Sequence, residues 1–182
     1  MGWIIDSMHS HVGFSVRHLM VSTVRGQFKG YRGRTKLDPA DFTRSSFEGE
    51  VDVASIDTAN PQRDEHLRAS DMFDAARFPK ISFRSTRIVP RGDGAFAVHG
   101  EVTIRGVTRP LTLDVEFRGT SRNHRGIAVA GVSATGTLDR KDFGLSYNFL
   151  LETGGVAISD QVKIEIDAEL HEAEPAPAPA HT

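Results

Sequence analysis

Phe96-Ala97-Val98-His99-Gly100-Glu101-Val102-Thr103-Ile104 runs into Arg105-Gly106-Val107-Thr108 and returns as Leu111-Thr112-Leu113-Asp114-Val115-Glu116-Phe117. On each side of the connection an apolar side chain recurs at every second residue. That period places one face of a strand against a core and the other in water, the pattern of antiparallel rather than parallel sheets. The Arg105-Gly106-Val107-Thr108 segment reads as the loop of a hairpin joining the two strands. Working outward, the same alternation appears in Val12-Phe14-Val16, in Phe47-Gly49-Val51-Val53, in Ile127-Val129-Gly131 and in Val162-Ile164-Ile166-Ala168-Leu170. Segments around Phe28 and around Ile81-Phe83 fit less cleanly, and Arg91-Gly92-Asp93-Gly94 marks a further hairpin loop. About eight such strands must cover their apolar faces, which they do by closing into a barrel or stacking as a sandwich.

One interruption is helical. Asn60 supplies an N-cap and Pro61 the residue favoured at the first helical position, so Gln62 to Ala69 can run as a helix inserted at a sheet edge or barrel end. At the other extreme, Glu172-Ala173-Glu174-Pro175-Ala176-Pro177-Ala178-Pro179-Ala180 alternates Pro with Ala and has nothing to bury. The expected organisation is one barrel domain over residues 1–171 and a disordered Pro/Ala tail over 172–182.

With 182 residues, 22 Lys+Arg against 24 Asp+Glu and a formal net charge of -2, the chain has no basic excess with which to bind nucleic-acid phosphates. It has no Cys, which excludes thiol catalysis, Cys-ligated metal and disulfides. Asp6 follows Trp3-Ile4-Ile5 too soon for a secretory signal, and it stands where a myristoylation pattern needs Ser or Thr. With no run of 18 apolar residues, no membrane span is expected, and the expected compartment is the cytoplasm. Charge is unevenly spread. Seven bases lie from Arg17 to Arg44 against Asp38 and Asp41, and from Glu152 onward there are seven acids against Lys163 alone. Solvated strand edges account for such a polarity, although it would also orient a partner.

Candidate chemistry is sparse. His9 and His11, two apart in an extended segment, would bind zinc only if a third ligand arrived from elsewhere; without one they are rim histidines, and no metal is assigned. His18 continues the row of Phe14 and Val16, as either a core histidine bonded to the backbone or the polar anchor of a cavity. Arg63-Asp64-Glu65-His66 holds every residue type an acid–base site wants and equally makes a solvated helix face. Arg140-Lys141-Asp142-Phe143-Gly144 is a similar charged cluster beside an aromatic. No serine elbow, phosphate loop or dinucleotide fingerprint occurs, and no cofactor is called for. The 11 Phe are more telling, because a one-sided lining of Phe, Val, Leu and Ile in an eight-stranded barrel either fills the interior or encloses an apolar cavity.

Taken together, several runs resemble the YceI-like family, bacterial polyisoprenoid-binding proteins of lipocalin-like shape. They begin with Trp3-Ile4-Ile5-Asp6, His9-Ser10, Val12-x-Phe14-x-Val16-x-His18-Leu19 and Val24-x-Gly26-x-Phe28. Ser55-Ile56-Asp57-Thr58, Arg63-Asp64-x-His66-Leu67, Asp71-x-Phe73-Asp74 and Phe78-Pro79-x-Ile81-x-Phe83-x-Ser85-Thr86 continue the series. Gly100-x-Val102-Thr103-Ile104-x-Gly106-Val107-Thr108-x-Pro110, Arg140-x-Asp142-Phe143-Gly144 and Asp160-x-Val162-x-Ile164 complete it, so the match covers roughly residues 3 to 170.

The resemblance implies an all-β, extended eight-stranded antiparallel barrel with a short helical insertion, whose lumen holds a long isoprenoid or similar amphiphilic lipid. Many relatives carry a periplasmic signal peptide, which is not seen here. On this reading Phe14, Val16, Phe28, Phe83, Val98, Val102, Leu113 and Phe143 form an apolar lumen, and His18, Arg63, His66 and Arg140 meet a polar headgroup at its mouth. Two rival readings stand beside this non-enzymatic binder. One is an enzyme acting on a hydrophobic substrate with His66 and Asp64 as the acid–base pair; the other is a filled-core interaction module. The expected partner is the lipid, and a homodimer is left open.

Overall fold

The computed structural model describes residues 2–148 and 157–173. The alternating segments form eleven strands: β1 Gly2–Ile5, β2 His11–His18, β3 Ser22–Phe28, β4 Tyr31–Lys36, β5 Ser46–Asp52, β6 Ile56–Asp57, β7 Lys80–Gly92, β8 Ala95–Ile104, β9 Val107–Arg122, β10 Ala128–Asp139 and β11 Gln161–Glu172. Every pairing is antiparallel. The order β1-β4-β5-β7-β8-β9-β10-β11 returns to β1 through Trp3↔Glu172, Ile4↔His171 and Ile5↔Leu170, so an eight-stranded barrel closes on itself and leaves no edge there.

The three remaining strands extend broken ones. β1 and β2 lie end to end along β11, taking residues 170–172 and 163–167, and the turn between them begins at Asp6. β3 continues from β4 past Lys29-Gly30, and β6 continues from β5 past a 3-10 turn over Val53–Ser55.

The two ends differ. At one, a 3-10 turn over Phe42–Arg44 sets the buried Phe42 ring 5.5, 4.4 and 4.9 Å from the rings of Phe47, Phe96 and Phe117. That aromatic cluster packs inside the barrel beside the β7–β8 turn. At the other end sit the helix α1 (Pro61–Arg68), the β2–β3 turn and a 3-10 turn over Arg140–Phe143. The expected cap is present: Asn60 is extended and its side-chain oxygen accepts the Arg63 N–H at 3.1 Å, with Pro61 at the first helical position. Among the described residues, no helix is long and apolar enough to cross a membrane.

The structure corrects one phase and one placement. In β10 the buried side chains are Ala130, Val132 and Ala134, not the odd-numbered Ile127, Val129 and Gly131. Alternation read from the largest side chains misleads here, because small residues face inward opposite the bulky ones of β9 (Ala134↔Val115, Val132↔Phe117), and a register shift falls between Ala130 and Val132. Phe143 is buried in the core but does not line the cavity described below. Of the expected tail, Glu172 belongs to β11 and the Ala173 N–H donates to the Gly2 carbonyl at 2.9 Å; residues 174–182 lie outside the described residues.

Candidate functional site: an apolar lumen with a polar rim

A cavity of about 490 Å³ occupies the barrel between the Phe42 cluster and the α1 end. This lies within the range of small-molecule sites. Phe14, Val16, Phe28, Phe83, Val98, Val102 and Leu113 all line it, as the alternation indicated for inward-facing positions. The lining also takes in Ile164 and Ile166 from β11, and Leu67, Met72 and Phe73 from the helical insertion. The latter were missed because a short polar helix shows little amphipathic pattern. The available signal was the spacing of Arg63, His66 and Leu67, which share one face of a helix.

Space inside is made by glycine facing aromatic. Phe14 lies across from Gly26, and its ring occupies the volume that a Cβ at Gly26 would need. Phe83 does the same over Gly100, where a Cβ would stand 2.5 Å from the Arg84 carbonyl oxygen.

His18, Arg63, His66 and Arg140, the four expected polar residues, all border the cavity toward the α1 end. Their chemistry differs from the expectation. Arg140 is 4% exposed, and its guanidinium donates to the carbonyls of Leu145, Tyr147 (2.9 Å), Ser159 (2.9 Å) and Ile158 (3.4 Å), clasping the residues just after the 3-10 turn to those that lead into β11. Desolvation lowers its pKa, and Asp160 and Asp139 oppose that. Arg63 donates from Nε to the Thr58 hydroxyl at 2.8 Å and from Nη2 to the Thr58 carbonyl at 2.7 Å. Both arginines therefore hold the rim together through backbone groups.

The acid–base pair is also rearranged. The buried Asp64 accepts the Thr58 N–H (2.9 Å) and hydroxyl (2.6 Å), so its carboxylate fixes the strand-to-helix turn. His66 instead meets Asp71 at 2.9 Å and sets its ring edge-on to Tyr147 at 4.9 Å. The His66 hydrogen bond holds the Asp71 carboxyl below its ordinary value. In a helix, residues two apart point to different faces, which separates Asp64 from His66.

His9 and His11 do not act as a pair. His9 closes the β1–β2 turn against Asp6 at 2.8 Å with Glu169 4.0 Å away, whereas His11 opens β2 and leans over Gly13. Asp6, His9 and Glu169 bring their ligand atoms within 4.8 Å of one another, as an exposed ion-paired turn. The Asp6 hydrogen bond raises the His9 pKa, and the reciprocal bond lowers that of Asp6.

A sequence profile for the YceI-like domain matches residues 3–170. The chain belongs to the YceI-like family. Among its relatives, a UPF0312 protein of Staphylococcus aureus strain N315 is 39% identical over 165 residues, covering 90% of this chain and 94% of the relative. The crystal structure of a YceI protein from Campylobacter jejuni superposes with a TM-score of 0.76 at 30% identity, covering 87% of this chain and 90% of that one. A polyisoprenoid-binding domain from Saccharophagus degradans shares the fold, with a TM-score of 0.68 at 12% identity over 94% of this chain and 98% of that domain. The YceI-like barrel, closed and antiparallel, is thus the architecture of this chain.

Proposed function

We propose that this YceI-like barrel binds a long-chain isoprenoid or similar amphiphilic lipid, tail inside the lumen and head at the α1 rim, as a carrier or store without a catalytic step. The observation that carries the proposal is the apolar cavity of about 490 Å³, stopped at one end by the Phe42 cluster and bordered at the other by His18, Arg63, His66 and Tyr147. An aliphatic tail gains about 0.8 kcal/mol for each methylene taken out of water, so ten of them supply about 8 kcal/mol before ordering costs. Phe14, Val16, Phe28, Phe83, Val98, Val102 and Leu113 are the proposed tail contacts. Support also comes from the polyisoprenoid-binding domain that shares the fold. Arg140 and the main donors of Arg63 are taken up by carbonyls and a hydroxyl, so the head is expected to rely more on His18 and His66.

Native mass spectrometry of freshly purified protein, followed by solvent extraction, tests this reading. An adduct of lipid mass that extracts into organic solvent, and is returned chemically unchanged after prolonged incubation with the protein, is the expected result. A protein that purifies empty and takes up no polyisoprenoid or fatty acyl lipid would refute the binder. Conversion of the extracted lipid, lost in His66→Gln, would make the protein an enzyme.

A further inference from the structure

We propose that the tip of the β2–β3 hairpin inserts into an anionic membrane leaflet and so holds the lumen's mouth against the lipid it draws from. The inference rests on the reading of the lumen as a lipid site and extends it to where that lipid comes from. The strands join through His18-Leu19-Met20-Val21, with the Val21 N–H donating to the His18 carbonyl at 3.1 Å. Leu19 and Met20 take φ of 52° and 62°, so both central residues are left-handed. That tight turn strongly favours Asn-Gly, and large apolar residues are rare in it. Leu19, Met20 and Val21 are 39%, 57% and 78% exposed, three consecutive large apolar side chains in water. The hairpin thus carries bulky apolar groups where local backbone chemistry favours small polar ones.

The tip's location gives those groups a use. His18 borders the cavity and bridges to Ile158, which borders it too, so the tip rises directly from the rim. Tyr147, 43% exposed, lies on the same rim. A projecting point of three side chains offers no groove or flat face to a folded partner, but it suits the headgroup–acyl boundary, where apolar side chains anchor peripheral proteins.

Charge selects the leaflet. From His11 to Phe28 the hairpin has Arg17 and Arg25 and no acid, and none occurs anywhere between Asp6 and Asp38. Arg17 forms no ion pair among the described residues, and the carboxylate felt by Arg25, Glu165, is itself paired with Lys163 at 3.0 Å. Basic side chains beside an apolar anchor strengthen attachment to anionic lipid.

The test uses the full chain and the double variant L19N/M20G, which restores the preferred turn residues while removing two apolar groups. Sedimentation with vesicles of phosphatidylcholine containing 30% phosphatidylglycerol reads docking, and the fluorescence of cis-parinaric acid reads lumen occupancy. The unaltered protein is expected to sediment with these vesicles, less so at 500 mM salt. The variant should partition at least tenfold more weakly, bind parinaric acid as before, and melt about 3 °C higher or more through relief of the turn. Equal partitioning of variant and parent, or no partitioning of the parent, would overturn the docking role. Tip-dependent self-association without vesicle binding would reassign the tip to a second copy and also overturn it. Parinaric acid bound without vesicle docking defeats this inference alone, and vesicle docking without any lumen ligand defeats the lipid-binding reading alone.

Discussion

Arg140 is a buried cation that opens a 3-10 turn and donates to main-chain carbonyls of two segments that follow it. Arg140→Met keeps the stem and removes every donor, taking the guanidinium from the buried Leu145 carbonyl and from the part-buried Tyr147 and Ser159 carbonyls, while Ile158 keeps the Asn148 amide. A loss of roughly 2–4 kcal/mol in urea unfolding is expected, with lipid affinity of the folded fraction little changed. An affinity loss without a stability loss would instead give Arg140 to the ligand. Its place at the cavity was legible from sequence, but its role was not. Charge and position put an arginine at the mouth, whereas its partners come from residues 145, 147, 158 and 159, loop carbonyls that carry no side-chain signal. The same holds for His66, whose partner Asp71 sits beyond the helix end rather than at Asp64.

The β1–β2 turn supplies a titration test. Since the folded pKa of His9 is raised above 6.5 by Asp6, the ion pair contributes stability below the unfolded pKa, and this is lost as pH climbs through the folded value. In an NMR titration the His9 midpoint should lie above 6.5, and Asp6→Asn should bring it back toward that value. No change in the Asn variant would mean that the pair does not persist in solution.

Individual elements show why two phenylalanines of one barrel respond differently to truncation. Phe42 is 4% exposed among three other rings, so Phe42→Ala opens a void in packed material and should cost about 3–5 kcal/mol. Phe14 already borders open space, and Phe14→Ala in lipid-free protein should cost no more than about 2 kcal/mol. Equal losses in chemical denaturation would mean that the lumen is collapsed and filled. Strand identity and direction were readable from alternation because the inward residues of β8, β9 and β11 are large. In β10 they were not, since Ala130 and Ala134 face inward and a register shift breaks the period. The Phe42 plug had no periodic signature at all, lying in a three-residue turn between strands.

At the scale of the whole molecule, alternation allowed a barrel or a sandwich; the resemblance pointed to the barrel, and the β1–β11 pairing closes it. A closed wall around an empty apolar space gains stability by linkage when the space is filled. Saturating ligand at a hundred times its dissociation constant adds about 2.7 kcal/mol. On the proposed lipid-binding reading, protein stripped by organic extraction and refolding should therefore melt several degrees lower than the protein as purified, and adding back the extract should restore the difference. A melting point indifferent to extraction and to add-back would show that the co-purified lipid is bound outside the lumen.

The Phe42 cluster also dictates the order of events during exchange. A tube stopped at its far end has one doorway, and an incoming chain has no second entrance from which to push an occupant out. On the proposed lipid-binding reading hand-over is dissociative: the resident departs before the next chain enters. The observed exchange rate of a loaded barrel should level off at the departure rate of its occupant, however concentrated the competing lipid becomes.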